Sequence, residues 1–324
     1  MHSNERWMKR LAAAIAALLA SGVLAQPFPS KPVRIVVAFP PGGGTDIVAR
    51  LISPRLAESW GQQVLVDNRA GASGVIGTEA AARSAPDGTT LFLGTLGNLA
   101  VNQHLYPKMA VDPLRDFVPV TQVVAVHFVM VANPALPAKN VAELIALAKA
   151  RPGQINYSSS GPGGAPHLAG ELFKSMAHVN LVHVAYKGSA PSFQDLLGGQ
   201  VSLTCDSLVQ ALPYIRDGRL VPLAVLGATR SPLLPDVPTV GETVPGYELT
   251  NWFGLVAPAA TPAAVVSRIH ADVVKVLRDP SIAEKLSGMG ATAIGNSPAE
   301  FGAMMRADSG KWGRLIREAH IKAE

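Results

Sequence analysis

The sequence predicts an α/β fold in which mainly parallel β-strands alternate with α-helices in two lobes. Strand, loop and helix patterns follow one another along most of the chain. Two Gly-rich loops, each placed between a strand and a helix, lie about 120 residues apart. The length of 324 residues fits two domains of roughly 100–200 residues each. Alternation of this kind is typical of parallel sheets flanked by helices.

Strands are predicted where β-branched and apolar residues form short runs bounded by turn residues. The longest such run is Val120–Val131. In chain order, the predicted strands are Val33–Phe39, Val64–Val66, Thr89–Leu93, Val120–Val131, Ile155–Tyr157, Val179–Val184, Val201–Cys205, Leu220–Leu226 and Asn251–Val256.

Helices are predicted where apolar residues recur at helical spacing after a capping residue or a proline. The first begins near Thr45 and continues to Leu56, and Pro54 within it predicts a kink or a break. The others are Gly74–Ala85, Val141–Arg151, His167–Ala177, Ala263–Arg278 and Pro298–Ala319.

The first 25 residues have the pattern of a secretory signal peptide. A positive segment ends at Arg10, Leu11–Ala20 is an unbroken apolar stretch, and Val23-Leu24-Ala25 fits a small-x-small cleavage site. A membrane-spanning helix needs about 20 apolar residues, which is more than this stretch supplies. We therefore expect cleavage after Ala25 and a mature protein in the periplasm that begins at Gln26.

Composition excludes several classes of function. The formal net charge of +5 is spread along the chain without the run of Lys and Arg that a nucleic-acid groove needs. The single cysteine, Cys205, rules out an intramolecular disulfide framework and a cysteine-based zinc site. We expect no cofactor, no metal, no nucleic acid and a monomer.

Two Gly-rich loops are the strongest candidates for a binding site. Phe39–Asp46 and Ser158–Pro166 each end a strand and open a helix, which is where ligands bind in open α/β sheets. Glycine allows close approach of the backbone, and the N-terminus of a helix favours an anion. Neither loop contains arginine, so backbone dipoles would hold the anion. Ordinary tight turns are the alternative interpretation.

The sequence does not match most of the common enzyme motifs. Ile47 stands where a dinucleotide-binding loop needs its third glycine, and no phosphate-binding Gly-Lys-Ser/Thr sequence follows Gly164. An exported hydrolase of a small ester or amide, using a serine of Ser158–Ser160, stays open as the alternative function. A receptor returns its ligand unchanged, whereas a hydrolase does not. A periplasmic scaffold or sensor is a third interpretation.

Several single residues also border the loops. Asp46 suits the first turn of a helix, and Asp206 follows an apolar strand. Lys187, in Tyr186-Lys187-Gly188, is either a solvated loop residue or a charge near the cleft. His167 is either a helix-end histidine or a ligand contact.

Seven short segments occur in order over about residues 29–312. They are Phe39–Asp46, Val66–Gly71, Pro86–Thr89, His167–Glu171, Tyr186–Gly188, Pro235–Thr239 and Trp252–Gly254. In this combination the chain resembles the Bug-type solute receptors of tripartite tricarboxylate transporters.

The resemblance implies a two-lobe periplasmic binding protein of type II, the Venus-flytrap fold. It implies one lobe from residues 26–124 with 251–324, a second from residues 125–250, and membrane permease subunits as partners. Such receptors usually hold a small carboxylate with backbone groups of the two loops. The family's acidic position falls on Asp206. Ala185, Ala260 and Cys205 depart from the family's usual residues at the cleft rim, so the resemblance does not fix the ligand.

Both lines of reasoning predict one ligand-binding set from the loops and the strand ends near them. Its members are Phe39, Pro40, Gly42, Gly43, Gly44, Thr45, Asp46, Ser158, Ser159, Ser160, Gly161, Gly163, His167, Tyr186, Lys187 and Asp206.

Overall fold

The computed structural model describes residues 28–318 and 321–322. The predicted signal peptide and its cleavage site lie outside the described residues. In the described part of the chain, no helix combines the length and the apolar character that crossing a membrane requires.

Two separate β-sheets form the framework. The strands are β1 (Val33–Val37), β2 (Val64–Asn68), β3 (Thr90–Thr95), β4 (Phe117–Val126), β5 (Phe128–Ala132), β6 (Asn156–Ser159), β7 (Val182–Ala185), β8 (Leu203–Ser207), β9 (Val221–Val225), β10 (Asn251–Pro258) and β11 (Ala291–Ala293). Lobe one is built on a six-stranded sheet in the order β11-β4-β10-β3-β1-β2, and lobe two on a five-stranded sheet in the order β7-β6-β8-β5-β9.

Helices cover both sheets. They are α1 (Gly44–Trp60), α2 (Val75–Ala82), α3 (Asn102–Leu105), α4 (Pro113–Asp116), α5 (Val141–Ala150), α6 (Ala165–Ala177), α7 (Ser189–Leu197), α8 (Leu208–Arg216), α9 (Ala263–Leu277), α10 (Pro280–Gly288) and α11 (Pro298–Glu318). The predicted α/β fold of two sheets flanked by helices is confirmed. Helices α3, α4, α7, α8 and α10 and strand β11 were not among the predicted elements.

Each sheet also has an antiparallel part that the prediction of mainly parallel strands did not include. Strand β1 runs parallel to β2 and β3, and β6 runs parallel to β7 and β8. Strand β10 is antiparallel to β3 and β4, and β5 is antiparallel to β8 and β9. The reason lies in the connections, because β4 leads the chain out of lobe one and β10, beside it, leads the chain back.

The apolar run Val120–Val131 contains two strands rather than one. Strand β4 ends at Val126 in the first sheet and β5 begins at Phe128 in the second. His127 lies between them, donates its N–H to the Gly290 carbonyl (3.0 Å) and accepts from the Leu208 N–H (2.8 Å). Both strands are largely buried in their own sheets, so apolar residues continue on both sides of the crossing and only His127 stands between them.

Helix α1 is continuous through Pro54, so the predicted break is wrong. A proline inside a helix costs one backbone hydrogen bond. The helix is retained because its inner face, including Val48, Ile52 and Leu56, is completely buried.

Strand β10 is buried along its whole length and packs beneath α11. Trp252 meets the Phe301 ring edge-on at 5.3 Å between ring centroids, and its indole N–H donates to Asp308 at 2.7 Å. Gly254 lies directly under the Phe301 ring, in the space that a Cβ atom would occupy. The absence of a side chain at Gly254 therefore sets the distance between this helix and the sheet.

Gly254→Ala should lower the free energy of unfolding by about 1–3 kcal/mol, the usual cost of overpacking a core. Urea denaturation followed by circular dichroism measures this change. Gly288→Ala, at a glycine with no atom within 4 Å of the added Cβ, is the matched control and should change stability by less than about 0.5 kcal/mol. Equal effects of both substitutions would contradict the packing argument.

Candidate functional site

A cleft between the two lobes receives the carboxyl ends of several strands. It is lined by Phe39, Gly43, Gly44, Thr45, Thr95, Phe128, Ser160, Gly164, Ala165, Pro166, Ser189, Asp206, Ser207, Asn251 and Phe253. Six of these belong to the predicted ligand-binding set: Phe39, Gly43, Gly44, Thr45, Ser160 and Asp206.

Two helices point their N-termini into this cleft. Helix α1 begins after Gly43 and α6 after Gly164, and neither has a side chain that caps it. The first N–H groups of a helix have no partner within the helix, and the helix dipole makes this end positive. No Lys or Arg is among the lining residues in the described part of the chain. The positive ends of the two helix dipoles are therefore what could attract an anion into this cleft.

At Gly44 the two lobes approach each other closely within the cleft. A Cβ atom on Gly44 would lie 2.8 Å from Ser207 Oγ and 3.4 Å from the Phe253 ring. A Cβ atom on Gly43 would meet only the Pro40 carbonyl at 3.7 Å. The close approach therefore depends on a glycine at Gly44 and not at Gly43.

Contacts beside the cleft hold the lobes together. Tyr106, from lobe one, donates its hydroxyl hydrogen to the Pro162 carbonyl of lobe two at 2.9 Å. A Cβ atom on Gly188 would lie 2.5 Å from Pro40 Cδ, so these two residues are also in close contact across the lobes. The two lobes are therefore in direct contact beside the cleft.

Asp206 is the buried acidic group of the cleft. Its Oδ1 accepts from the Ser207 N–H at 2.6 Å, whereas Oδ2 has no hydrogen-bond partner among the described residues. Ser207 Oγ and Asn251 Oδ1, which also line the cleft, are likewise buried and unpartnered there. Burial raises the pKa of Asp206 to about 6, although the nearby Ser189 hydroxyl and the Ser207 N–H partly offset this rise.

Asp46 does not line the cleft but organises the loop in front of α1. Its carboxylate accepts from the Gly42 N–H at 2.9 Å, from Arg50 Nε at 2.9 Å and from Asn68 Nδ2 at 3.0 Å. Burial raises the pKa of Asp46, but the hydrogen bonds from Arg50, Gly42 and Asn68 outweigh this and leave it below its usual value. Asp46 therefore acts on the site through the shape of the loop.

The second loop rests on a buried polar layer. Ser159 Oγ lies 2.6 Å from His183 Nε2 and accepts from the Gly161 N–H at 3.1 Å. The Gly163 N–H donates to His167 Nδ1 at 3.1 Å, and the His167 and His183 rings are 4.4 Å apart. Burial lowers the pKa of His167 to about 4, so the ring is neutral at pH 7 and can accept this bond.

Among the three candidate serines, Ser160 lines the cleft. Ser158 is buried and accepts a hydrogen bond from Ser192 at 2.7 Å. The structure brings Ser159 and His183 together, which the sequence did not indicate. Because Ser159 is completely buried and its oxygen accepts the Gly161 N–H, this serine–histidine pair supports the loop and does not present a nucleophile to the cleft.

The remaining candidates lie outside the lining. Tyr186 donates its hydroxyl hydrogen to Asp195 at 2.6 Å, and Lys187 is exposed to solvent. Gly161 and Gly163 have φ angles of 119° and 81°, in the region that favours glycine. Pro40 lies at the rim against Gly188.

The sequence missed several lining residues, chiefly Thr95, Phe128, Ser189, Ser207 and Asn251. Thr95 and Ser207 are the last residues of β3 and β8, so the rule that ligands bind at carboxyl ends of strands could have found them. Phe128 and Asn251 begin the strands that follow the two connections between the lobes. Their place in the cleft depends on where the chain crosses, which no local pattern indicated.

A cleft between two α/β lobes, with helix N-termini from both lobes and an acidic group at its wall, defines a two-lobe binding protein. The model of the tripartite tricarboxylate transporter family receptor matches residues 48–321. The chain is 37% identical to the protein BugT of Bordetella pertussis over 97% of its length and 99% of the relative.

Solved structures of similar proteins have the same two-lobe fold. The structure of Rpa4515 from R. palustris with adipate has a TM-score of 0.89 and 40% sequence identity, covering 91% of this chain and 99% of that one. MatC from Rhodopseudomonas palustris with bound malate has a TM-score of 0.86 and 31% identity, covering 89% and 100%. The chain belongs to the receptor family of tripartite tricarboxylate transporters. The predicted Bug-type family, the two-lobe fold and the function of a periplasmic solute receptor are confirmed.

Gly44→Ala should weaken ligand binding by about tenfold or more, because the added methyl group would meet Ser207 Oγ and obstruct both closure and close approach of the backbone. Calorimetry with one bound ligand measures this change. Gly288→Ala adds the same methyl group at a glycine that does not line the cleft and should bind within about threefold of the wild type. Normal binding by Gly44→Ala would show that this approach is not needed.

Asp206→Asn should stabilise the ligand-free protein at neutral pH. The folded-state pKa of Asp206 is raised from 3.8 to about 6, so its contribution to stability is present below pH 3.8 and is lost as pH rises through 6. The stability of the variant relative to the wild type should increase by about 2 kcal/mol between pH 4 and pH 7.5. Urea denaturation at both pH values measures this. The exposed Asp236→Asn is the control, and a relative stability independent of pH for Asp206→Asn would contradict the buried-charge account.

Proposed function

We propose that this protein captures a small organic carboxylate in the periplasm, closes around it and delivers it to the membrane permease subunits of a tripartite transporter. The observation that carries this proposal is the meeting of two uncapped helix N-termini in one cleft whose described lining has no Lys or Arg. Backbone N–H groups with a positive dipole favour an anion. Of the related structures, Rpa4515 was solved with adipate and MatC with bound malate.

We assign the direct contacts with the carboxylate to the N-terminus of α1, at Gly43, Gly44 and Thr45, and to the N-terminus of α6 at Ala165. Ser160 and Asp206 complete the ligand contacts, and Phe39 forms part of the apolar wall. The other predicted residues act indirectly. Pro40, Gly42, Asp46, Ser158, Ser159, Gly161, Gly163 and His167 shape the two loops, while Tyr186 and Lys187 lie at the rim.

We further propose that lobe one comprises residues 26–124 and 251–324 and that lobe two comprises residues 125–250. The end of β4 at Val126 and the start of β10 at Asn251 support hinges close to these positions. Two connections between rigid lobes allow hinge closure. We also retain cleavage after Ala25, a monomeric state and the absence of a catalytic role as parts of the proposal.

A thermal-shift panel tests the function. A ligand that binds only the folded state adds about 4.1 kcal/mol to stability when its concentration is a thousandfold above Kd. Among mono-, di- and tricarboxylates of three to six carbons, at least one should raise the melting temperature, and the amide of the same acid should not. The variant Lys187→Ala should respond as the wild type does, because the exposed lysine does not line the cleft.

The chemical fate of the ligand separates a receptor from a hydrolase. Mass spectrometry after overnight incubation of the protein with methyl esters of the bound acids should recover the esters unchanged. Turnover that Ser160→Ala abolishes would contradict the receptor role and restore the hydrolase interpretation. A panel in which no carboxylate raises the melting temperature would contradict the proposed ligand class.

A further inference from the structure

Three buried polar atoms in the cleft wall have no hydrogen-bond partner among the described residues. They are Asp206 Oδ2, Ser207 Oγ and Asn251 Oδ1, and their residues are 3%, 2% and 4% exposed. All three residues line the cleft. Buried polar atoms in folded proteins are nearly always hydrogen-bonded, and leaving one unpaired is costly. These atoms therefore need a partner that the ligand can supply.

The chemistry of the three atoms determines the kind of partner. A carboxylate oxygen and an amide oxygen can only accept a hydrogen bond, while a serine hydroxyl can donate or accept. Hydrogen bonding from the nearby Ser189 hydroxyl lowers the pKa of the Asp206 carboxyl group, but no donor lies within hydrogen-bond geometry of Oδ2 among the described residues. This part of the cleft wall, which we call the acceptor wall (Asp206, Ser207 and Asn251), is thus complementary to a hydrogen-bond donor.

The position of the acceptor wall relates the donor to the carboxylate. Ser207 Oγ lies 2.8 Å from the place where Gly44 would carry a Cβ atom, so the wall begins beside the first residue of α1. The carboxylate that we assign to this helix end is therefore next to the wall. A donor attached to the carbon that bears the carboxylate, or to the following carbon, can reach it.

Charge also disfavours a second anionic group at this wall. A ligand carboxylate placed against Asp206 would bring together two like charges in a buried site. No Lys or Arg is present among the described lining residues to compensate for them. An ammonium group would neutralise Asp206, and a hydroxyl group would donate to it without adding charge.

We propose that the ligand carries a hydroxyl or an ammonium group adjacent to its carboxylate, and that Asp206 selects this group. The inference rests on the proposed function, because it assumes that the carboxylate lies at the N-termini of α1 and α6. It assigns Asp206, Ser207 and Asn251 to recognition of the substituent and the two helix ends to recognition of the acid.

Acids that differ in one substituent test this assignment. Succinate, malate and aspartate carry hydrogen, hydroxyl and ammonium on the same carbon. Propionate, lactate and alanine form the same series with three carbons, and adipate, 2-hydroxyadipate and 2-aminoadipate form it with six. At the chain length that binds, a substituted acid should bind about tenfold or more tightly than the plain acid, which is the effect of one charge-assisted hydrogen bond.

Variants of the acceptor wall identify the selecting residue. Asp206→Asn replaces an acceptor oxygen by an amide that can donate, so the preference for the substituted acid should fall to threefold or less while the plain acid still binds. Ser207→Ala removes a hydroxyl group that lies in the same wall and should reduce the preference by a smaller factor. Lys187→Ala, at an exposed rim residue, should leave the preference unchanged. Melting temperatures and circular dichroism of the variants confirm that they are folded.

The outcomes separate the two proposals. If no acid of any series binds, the proposed function fails together with this inference. If plain acids bind as tightly as their hydroxylated and aminated counterparts, the proposed function survives and the assignment of the acceptor wall is wrong. A preference for substituted acids that is unchanged in Asp206→Asn would overturn the role of Asp206. Tight binding of either malate or aspartate would agree with the proposal. The ratio of their dissociation constants would show whether the acceptor wall prefers a hydroxyl or an ammonium group.

Discussion

The site depends on one constraint, which is that backbone N–H groups from two lobes must reach the same small volume. An anion held by backbone dipoles is bound only at short range, so the chain itself has to approach the ligand. Gly44 meets this requirement in lobe one, where a single methyl group would already contact Ser207 and Phe253. In lobe two, Gly161 and Gly163 adopt positive φ angles that turn the loop towards α6. The glycine content of both loops follows from this approach.

Loops of this kind need support from behind, and the two lobes provide it with different chemistry. In lobe one, the carboxylate of Asp46 gathers the Gly42 N–H, Arg50 and Asn68. In lobe two, the neutral His167 ring accepts from the Gly163 N–H, and His183 contacts the Ser159 hydroxyl. Both arrangements use side chains behind the loop to fix backbone groups next to the cleft. A polar residue next to a binding loop is thus not by itself a ligand contact.

The sequence predicted the fold well because its signals are local. Alternation of β-branched runs and helical repeats defined most of the strands and the long helices, and the two Gly-rich loops marked the helix ends that meet in the cleft. No local pattern marked the crossing at His127, which only the family resemblance placed near residue 124, because β4 is largely buried, β5 is completely buried, and both are rich in β-branched residues. The break predicted at Pro54 was wrong for a related reason, since the buried face of α1 outweighs one lost hydrogen bond.

The site was predictable only in part, and Asp46 and Asp206 show why. Both are acidic residues beside an apolar strand and a loop, and the sequence treats them alike. The structure surrounds Asp46 with donors, so its pKa falls, whereas Asp206 is buried with one oxygen unpartnered and its pKa rises. Whether donors surround a carboxylate depends on contacts between residues far apart in the chain, such as Asn68 with Asp46. No pattern of neighbouring residues contains this information.

The difference between these two carboxylates also explains how stability and binding oppose each other in this protein. Asp46 is satisfied before any ligand arrives and stabilises the folded chain. Asp206 costs stability at neutral pH, since its charge is buried without a full set of donors. A chain under selection for stability alone would replace it with an uncharged residue. Its presence at the cleft wall is accounted for if the missing donor comes from the ligand. The carboxylate that destabilises the free receptor then discriminates between ligands that carry a donor and ligands that lack one.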